Sequence, residues 1–304
     1  MHPRNRHRDR YDFVVFAERA PELARFVKPH PIEGLTIDFS DPVAVMTLNR
    51  ALLRDYGVKY WEIPEGYLCP GVPGRADYVH TLADLLGIDR DGVPPTGKNV
   101  RVLDVGTGAN CVYPLIGHAE YGWNFVATDI DLTAIESARS ILAANPKFAD
   151  HIEIRTQAYA PSILFSVINK KERFAASMCN PPFHASPEAA TAGTQRKIRN
   201  LSVGDRERFV LNFGGQSHEL WCRGGEPAFI KRLIEESAQL PETCAWYTTL
   251  VSKSSTLPVM EKALKTVPVR AVKQFDLMQG QKKSRIVAWT FLEKEARLHR
   301  VSAS

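Results

Sequence analysis

The chain has 304 residues, 44% of them hydrophobic and 24% charged, and a formal net charge of +5; this composition excludes disordered, collagen-like and fibrous proteins. No apolar run approaches the roughly 18 residues of a membrane-spanning helix, and no secretory apolar stretch follows the first ten residues, so we expect a cytoplasmic protein without membrane contact. The five cysteines are odd in number and widely spaced, which argues against a disulfide framework or a structural zinc site.

Residues 1–97 have the pattern of helices joined by loops rich in proline and aromatic side chains. An Asp-Pro start followed by apolar residues at helical spacing predicts a helix over 41–57. A second helix is predicted over 76–87, where Gly87 provides a stop signal. Three prolines and three glycines between them, in 61–75, indicate a structured loop. We therefore predict an N-terminal module of helices and loops over 1–97.

From about residue 98 the pattern changes to strands alternating with helices, which predicts a doubly wound, mostly parallel α/β sheet over 98–291. The last two strands are too close in sequence for a crossover helix, so we expect an antiparallel hairpin. The long aperiodic segment 184–226 interrupts this domain, and 292–304 is left as a C-terminal tail. Seven strands are predicted, at 100–106, 124–130, 152–157, 174–180, 244–251, 269–275 and 285–291.

The first candidate site is a glycine turn at the end of the first of these strands. Asp104, Gly106, Gly108 and Asn110 lie at the start of a helix, and such glycines let the backbone approach a bound nucleoside closely. The third glycine of a dinucleotide fingerprint is missing, which disfavours NAD. Asp129, at the end of the second strand, is placed to accept hydrogen bonds from ribose hydroxyls, although an aspartate there could equally cap a helix. Together these residues indicate a nucleoside cofactor.

The second candidate site follows the fourth strand, where Asn180-Pro181-Pro182-Phe183 forms an N-P-P-aromatic motif. It resembles the signature of S-adenosylmethionine-dependent methyltransferases that act on planar nitrogen. The Asn180 side-chain oxygen and the Pro181 carbonyl can accept both N–H bonds of an amine, and the prolines stiffen that backbone. Phe183 can stack on the substrate ring. An ordinary proline turn is the alternative interpretation, and the position after a glycine turn and a strand-end acid disfavours it.

Basic residues are concentrated in three segments, 1–10, 193–208 and 282–300, on a chain whose other residues are net acidic. This distribution is typical of a polyanion-binding surface. Glutamine side chains and nucleic-acid adenines are both substrates of N-P-P-aromatic enzymes, and the basic segments favour nucleic acid. The candidate RNA-binding residues are Arg4, Arg6, Arg8, Arg10, Arg196, Lys197, Arg199, Lys282, Lys283 and Arg285.

Longer stretches carry a more specific resemblance. HPRNRH, WEIPEGYLCPGVPGRADYVH, GANCVYPLIG, NPPFHAS, NFGGQSHELWCRGGE and QGQKKSRIVAWTF make the chain similar to the bacterial large-subunit ribosomal RNA adenine-N6 methyltransferase family (methyltransferase F). It is more distantly similar to human methyltransferase-like 16. The similarity extends from His2 to Phe291 and leaves out the tail, whose basic residues we expect to be solvated.

The resemblance implies a Rossmann-like class I S-adenosylmethionine-dependent methyltransferase that modifies one adenine in 23S ribosomal RNA or a large-subunit assembly intermediate. It implies S-adenosyl-L-homocysteine as product, no metal and no obligate protein partner. It also implies that Arg75 contacts the cofactor; Gln157, at the end of the third strand, is a weaker candidate for the edge of the cofactor's adenine. A glutamine protein methyltransferase and a non-catalytic RNA-binding protein with the same fold stay open.

Overall fold

The computed structural model describes residues 1–9, 11–30, 34–159, 161–186, 188–189, 217–279 and 282–303. Most of the predicted insertion 184–226, including the whole basic run 193–208, lies outside these residues. Among the described helices, none is both long and apolar enough to cross a membrane.

The N-terminal part contains helices joined by loops, as its sequence predicts, together with a small antiparallel strand pair that the sequence did not predict. Asp12 and Asp41 each accept main-chain N–H bonds at the start of the helix that follows them. The helix expected from residue 76 begins at Val72, because Pro73 fits the first turn of a helix, where its missing N–H is not needed. The elements are α1 (Phe13–Arg19), α2 (Pro21–Ala24), β1 (Lys28–Pro29), β2 (Leu35–Thr36), α3 (Pro42–Arg54) and α4 (Val72–Gly87).

The predicted seven-stranded sheet is confirmed, with the order β5-β4-β3-β6-β7-β9-β8. Neighbouring strands from β5 to β7 run parallel, whereas β9 is antiparallel to both β7 and β8, as expected of a C-terminal hairpin. The strands are β3 (Arg101–Val105), β4 (Asn124–Asp129), β5 (Ile152–Thr156), β6 (Phe174–Cys179), β7 (Cys244–Val251), β8 (Ala271–Gln279) and β9 (Lys282–Thr290).

Strand order reverses direction at β3, which pairs with β4 on one side and β6 on the other. In open α/β sheets the carboxyl ends of strands at such a reversal form a ligand-binding crevice. The predicted glycine turn follows β3 and the N-P-P-F motif follows β6, so the fold brings both sites to this crevice. The helices along the sheet are α5 (Val112–Tyr121), α6 (Leu132–Ala143), α7 (Pro146–Ala149), α8 (Ser217–Leu220), α9 (Gly225–Gln239), α10 (Leu257–Leu264) and α11 (Lys294–Ala303).

One hydrophobic cluster runs from Phe13 in α1 through the sheet to Val301 in α11. The N-terminal residues therefore share their core with the sheet. The expectation that the basic residues of the tail are solvated is wrong for Arg297, whose guanidinium donates to both Asp89 oxygens (2.7 and 3.0 Å) and lies 5.1 Å from the centre of the Trp246 ring. This pairing docks α11 on the domain.

Candidate active site

The glycine turn after β3 is held by the carboxylate at the end of β4. Gly106 and Gly108 have φ angles of 74° and 65°, a left-handed conformation that favours glycine. The Gly108 N–H donates to Asp129 Oδ2 (2.8 Å), and the Asp131 N–H donates to Asp129 Oδ1 (3.0 Å). Burial raises the pKa of Asp129, yet these main-chain donors stabilise its ionised form. The structure thus brings the predicted turn and the predicted acid into direct contact.

Asp104 lies directly beneath the turn and is fully buried. Neither of its carboxylate oxygens, nor the hydroxyl of buried Thr107, has a hydrogen-bond partner within the described part of the chain. Burial raises the pKa of Asp104 to about 7; the nearby Thr107 hydroxyl acts to lower this pKa, and the carboxylate of Asp129 acts to raise it. A buried acid with so few donors is costly to ionise.

Arg75 faces the crevice from α4. Its Nη1 donates to the Tyr113 hydroxyl (2.9 Å), and its guanidinium lies 5.5 Å from the centre of the Tyr113 ring. Sequence reasoning missed the side chains that fix the turn from the N-terminal part. Trp61 Nε1 donates to the Asn110 carbonyl (2.8 Å), and the Tyr67 hydroxyl donates to Asp131 Oδ2 (2.8 Å). Both aromatic residues lie in the 61–75 loop, whose many prolines and glycines were the only signal of a structured segment.

A cavity of about 410 Å³ lies at the strand ends, within the size range of small-molecule sites. We call it the strand-end cavity. Gln157 lines it too, but its side chain is bonded to the following loop: Nε2 donates to the carbonyls of Ser162 (2.8 Å) and Ile163 (3.1 Å). Contact of Gln157 with a cofactor therefore stays a prediction. The predicted residues that line the cavity are Arg75, Gly106, Gly108, Asn110, Asp129, Gln157, Asn180 and Pro182. Asp104, also predicted to bind the cofactor, does not line the cavity, because its side chain is fully buried beneath the turn.

The N-P-P-F motif connects this cavity to a second one. Asn180 lines the strand-end cavity, and its Oδ1 atom is buried without a hydrogen-bond partner among the described residues. Phe183 lines a neighbouring cavity of about 490 Å³, which we call the apolar groove. Leu68, Arg75 and Tyr113 line both cavities. The motif thus runs from one cavity to the other, with an unsatisfied acceptor at one end and an aromatic ring at the other.

The basic residues predicted to contact RNA are partly engaged within the protein. Arg4 and Arg6 form ion pairs with Asp84 (2.5 Å) and Glu120 (2.6 Å). Their polar contacts hold the N-terminal segment on α4 and α5. Arg8 is about half exposed, and Arg285 pairs with Asp276 at 3.2 Å. Arg10, Arg196, Lys197, Arg199 and the side chains of Lys282 and Lys283 lie outside the described parts, so their roles stay predictions.

No group of three or more His, Cys, Asp or Glu side chains that could hold a metal ion occurs in the part of the chain that the structure describes. The polar groups that line the strand-end cavity include carboxylate, amide and hydroxyl oxygens together with the guanidinium groups of Arg75, Arg223 and Arg232. This set matches an organic ligand that carries positive charge and hydroxyl groups.

Comparisons with known proteins agree with this geometry. A family model described as RNA methyltransferase matches residues 1–293. The protein named ribosomal RNA large subunit methyltransferase F of Pseudomonas savastanoi pv. phaseolicola is 53% identical over 300 residues, which cover 98% of this chain and 91% of that protein. The protein of the same name from Methylobacillus flagellatus is 53% identical over 307 residues, with 96% and 91% covered.

Two solved structures of a human protein share the fold. The METTL16 catalytic domain in complex with MAT2A 3′UTR hairpin 6 is 30% identical, with a TM-score of 0.79 and coverage of 96% of this chain and 98% of that one. The N-terminal domain of human METTL16 in complex with SAH is 28% identical, with a TM-score of 0.75 and coverage of 96% and 99%.

The sheet order, the strand-end cavity and these likenesses define a Rossmann-like methyltransferase. More narrowly, the chain belongs to the RNA methyltransferase family that includes the proteins named ribosomal RNA large subunit methyltransferase F.

Proposed function

We propose that this protein transfers a methyl group from S-adenosylmethionine to the N6 amine of one adenine in 23S ribosomal RNA and releases S-adenosylhomocysteine. The observation that carries the proposal is the buried Oδ1 of Asn180, which lines the strand-end cavity and has no hydrogen-bond partner among the described residues, while Phe183 of the same motif lines the apolar groove. The names of the bacterial relatives support ribosomal RNA as the substrate, and such a substrate would place the protein in the cytoplasm.

The strand-end cavity fits the proposed cofactor. Asp129 would accept hydrogen bonds from ribose hydroxyls, and the turn at Gly106 and Gly108 would allow close approach of the nucleoside. Arg75 would pair with the carboxylate of the methionine part. Asp104 would contribute negative charge from beneath the turn, because its side chain is fully buried. When bound, S-adenosylmethionine supplies an electrophilic methyl carbon on a cationic sulfur.

The N-P-P-F motif would prepare the amine for attack. The lone pair of an adenine amine is delocalised into the ring, which makes it a weak nucleophile. Asn180 Oδ1 and the Pro181 carbonyl would accept its two N–H bonds and favour a pyramidal nitrogen. Phe183 would stack on the base, an interaction worth about 1–3 kcal/mol. Positioning and polarisation thus supply most of the catalysis, with no strong base required.

The apolar groove would receive the adenine after it leaves its neighbours in the RNA. Unstacking a base costs a few kcal/mol, and the wall formed by Phe183, Leu48, Leu250 and Leu277 offers apolar contacts that offset this cost. RNA bound across the groove would be held by phosphate contacts from the basic residues predicted above to bind RNA.

Mass spectrometry tests this proposal directly. In ribosomal RNA from a strain that lacks the gene, one N6-methyladenine of 23S RNA should be missing, and purified protein with S-adenosylmethionine should restore it. Complementation with the Asn180→Ala variant provides the matched control and should leave the adenine unmodified. An unchanged set of methylated adenines in the deletion strain would refute the assigned substrate, and labelling of a glutamine peptide in place of RNA would support the alternative chemistry.

A further inference from the structure

The main chain of Phe183 is held from both sides. Its N–H donates to the Leu220 carbonyl (3.1 Å), which belongs to α8. Its carbonyl accepts a hydrogen bond from Lys253 Nζ (2.5 Å), which reaches across from the segment after β7. The flanking residue His184 donates to Leu220 as well (2.9 Å). The peptide that carries the proposed base platform is therefore fixed by two separate segments of the chain.

The segment that carries Lys253 is itself fixed by a buried carboxylate. Glu226, in the first turn of α9, is fully buried, and its oxygens accept from Ser252 N (2.8 Å), Ser252 Oγ (2.5 Å), Lys253 N (3.3 Å) and Thr256 Oγ (2.6 Å). A buried carboxylate satisfied by this many donors strongly limits the positions its partners can take. Lys253 therefore extends from a rigid base, although its own side chain is exposed.

This arrangement joins the walls of the two cavities. Phe229 and Arg232 of α9 line the strand-end cavity, while Ser252 lines the apolar groove beside Phe183. Glu226 connects α9 to Ser252, and Lys253 connects that segment to Phe183. The chain of contacts thus runs from the cofactor side of the site to the platform on the substrate side.

We propose that Lys253, held in place by Glu226, is a positioning residue that fixes the Phe183 peptide so that the stacked adenine amine is aligned for methyl transfer. The inference rests on the proposed function, because it assigns Phe183 the role of base platform. A hydrogen bond from a charged donor to a carbonyl is among the stronger ones in proteins, and losing it frees the peptide to take other orientations. Loss of this hydrogen bond should change the alignment of the reacting groups and leave ligand binding intact, because Lys253 lines neither cavity.

The test compares the steady-state kinetics of Lys253→Met, Lys253→Arg and wild type with 23S ribosomal RNA and S-adenosylmethionine as substrates. Methyl labelling of the RNA is the measured signal. Lys253→Met should lower kcat by about tenfold, with KM for RNA and the affinity for S-adenosylmethionine nearly unchanged. Lys253→Arg retains a charged donor of similar reach and should recover most of kcat. Lys262→Met, a change of the same charge at an exposed position of α10, is the control and should behave as wild type.

Two further readouts separate positioning from other roles. If Lys253 instead bound an RNA phosphate, Lys253→Met would raise KM and leave kcat unchanged. The slope of the logarithm of the RNA-binding constant against the logarithm of salt concentration would also become shallower by about one. If it were merely structural, the melting temperature would fall together with kcat. Either result, or an unchanged kcat, would overturn the inference. A wild-type protein that fails to label RNA at all would instead count against the proposed function.

Discussion

Replacing Asp104 with asparagine should make the ligand-free protein more stable at neutral and alkaline pH. The carboxyl group is fully buried and has no hydrogen-bond partner among the described residues, so its ionised form is poorly solvated. Burial raises its pKa from 3.8 to about 7. A pKa difference of one unit corresponds to about 1.36 kcal/mol. Once Asp104 is ionised, its raised pKa therefore lowers the free energy of unfolding by about 4 kcal/mol. Asparagine is nearly the same size and does not ionise.

The sign of the pH dependence follows from proton counting. Between pH 3.8 and about 7 the folded protein keeps a proton on Asp104 that the unfolded chain has lost. Stability therefore falls as pH rises through this window, and the full cost persists above it. The stability advantage of Asp104→Asn should grow by about 3 kcal/mol from pH 5 to pH 8.

Urea unfolding of both proteins from pH 5 to pH 8 measures this difference. Asp150→Asn, the same chemical change at an exposed position, is the control and should follow wild type at every pH. Calorimetric titration should also show weaker binding of S-adenosylmethionine to Asp104→Asn, because the variant lacks the buried negative charge beneath the turn. Parallel stability curves for wild type and variant would refute the assignment of a raised pKa.

Three further changes test other parts of the structure. Asn180→Ala should lower kcat by about 10²–10³-fold, as loss of a donor or acceptor to the reacting group does elsewhere, with cofactor affinity preserved in a binding titration; normal turnover would contradict its role. Arg297→Ala should lower the free energy of unfolding in urea by about 3 kcal/mol, because it leaves the largely buried Asp89 without its partner; Lys294→Ala on the same helix is the control. Arg8→Gln should make the slope of the logarithm of the RNA-binding constant against the logarithm of salt concentration shallower by about one, without lowering the melting temperature. An unchanged slope would show that Arg8 does not contact RNA phosphates.

The sequence was sufficient for the features that depend on local pattern. The strands are short buried runs bounded by turns, so their positions could be predicted within a few residues, and the extended hairpin β8–β9 differs most because its exposed residues lack a clear pattern. The glycine turn and the N-P-P-F motif could be predicted because each is a short segment whose chemistry depends on adjacent residues.

Contacts between distant segments were not predictable. Trp61 reaches the carbonyl of Asn110, and Lys253 reaches that of Phe183, and neither pairing leaves a trace in local composition. Every residue has a main-chain carbonyl, so residue type does not indicate which carbonyl accepts a bond from a distant side chain. The same limitation explains why Arg4 and Arg6, interpreted from charge alone as part of an RNA-binding segment, prove to be bonded to acids of α4 and α5. Local charge does not show which countercharge the fold brings near.

The pairing of Arg297 with Asp89 has a consequence for how the polypeptide matures. The two residues are 208 positions apart, so a ribosome adding 5–20 residues per second delivers the arginine about 10–40 s after the aspartate. During that interval Asp89 lacks the side chain that pairs with it in the native state. Contacts of such long sequence separation form late and slow the folding of a domain. Synthesis of α11, rather than completion of the sheet, should therefore be the step at which a newly made chain acquires its native stability.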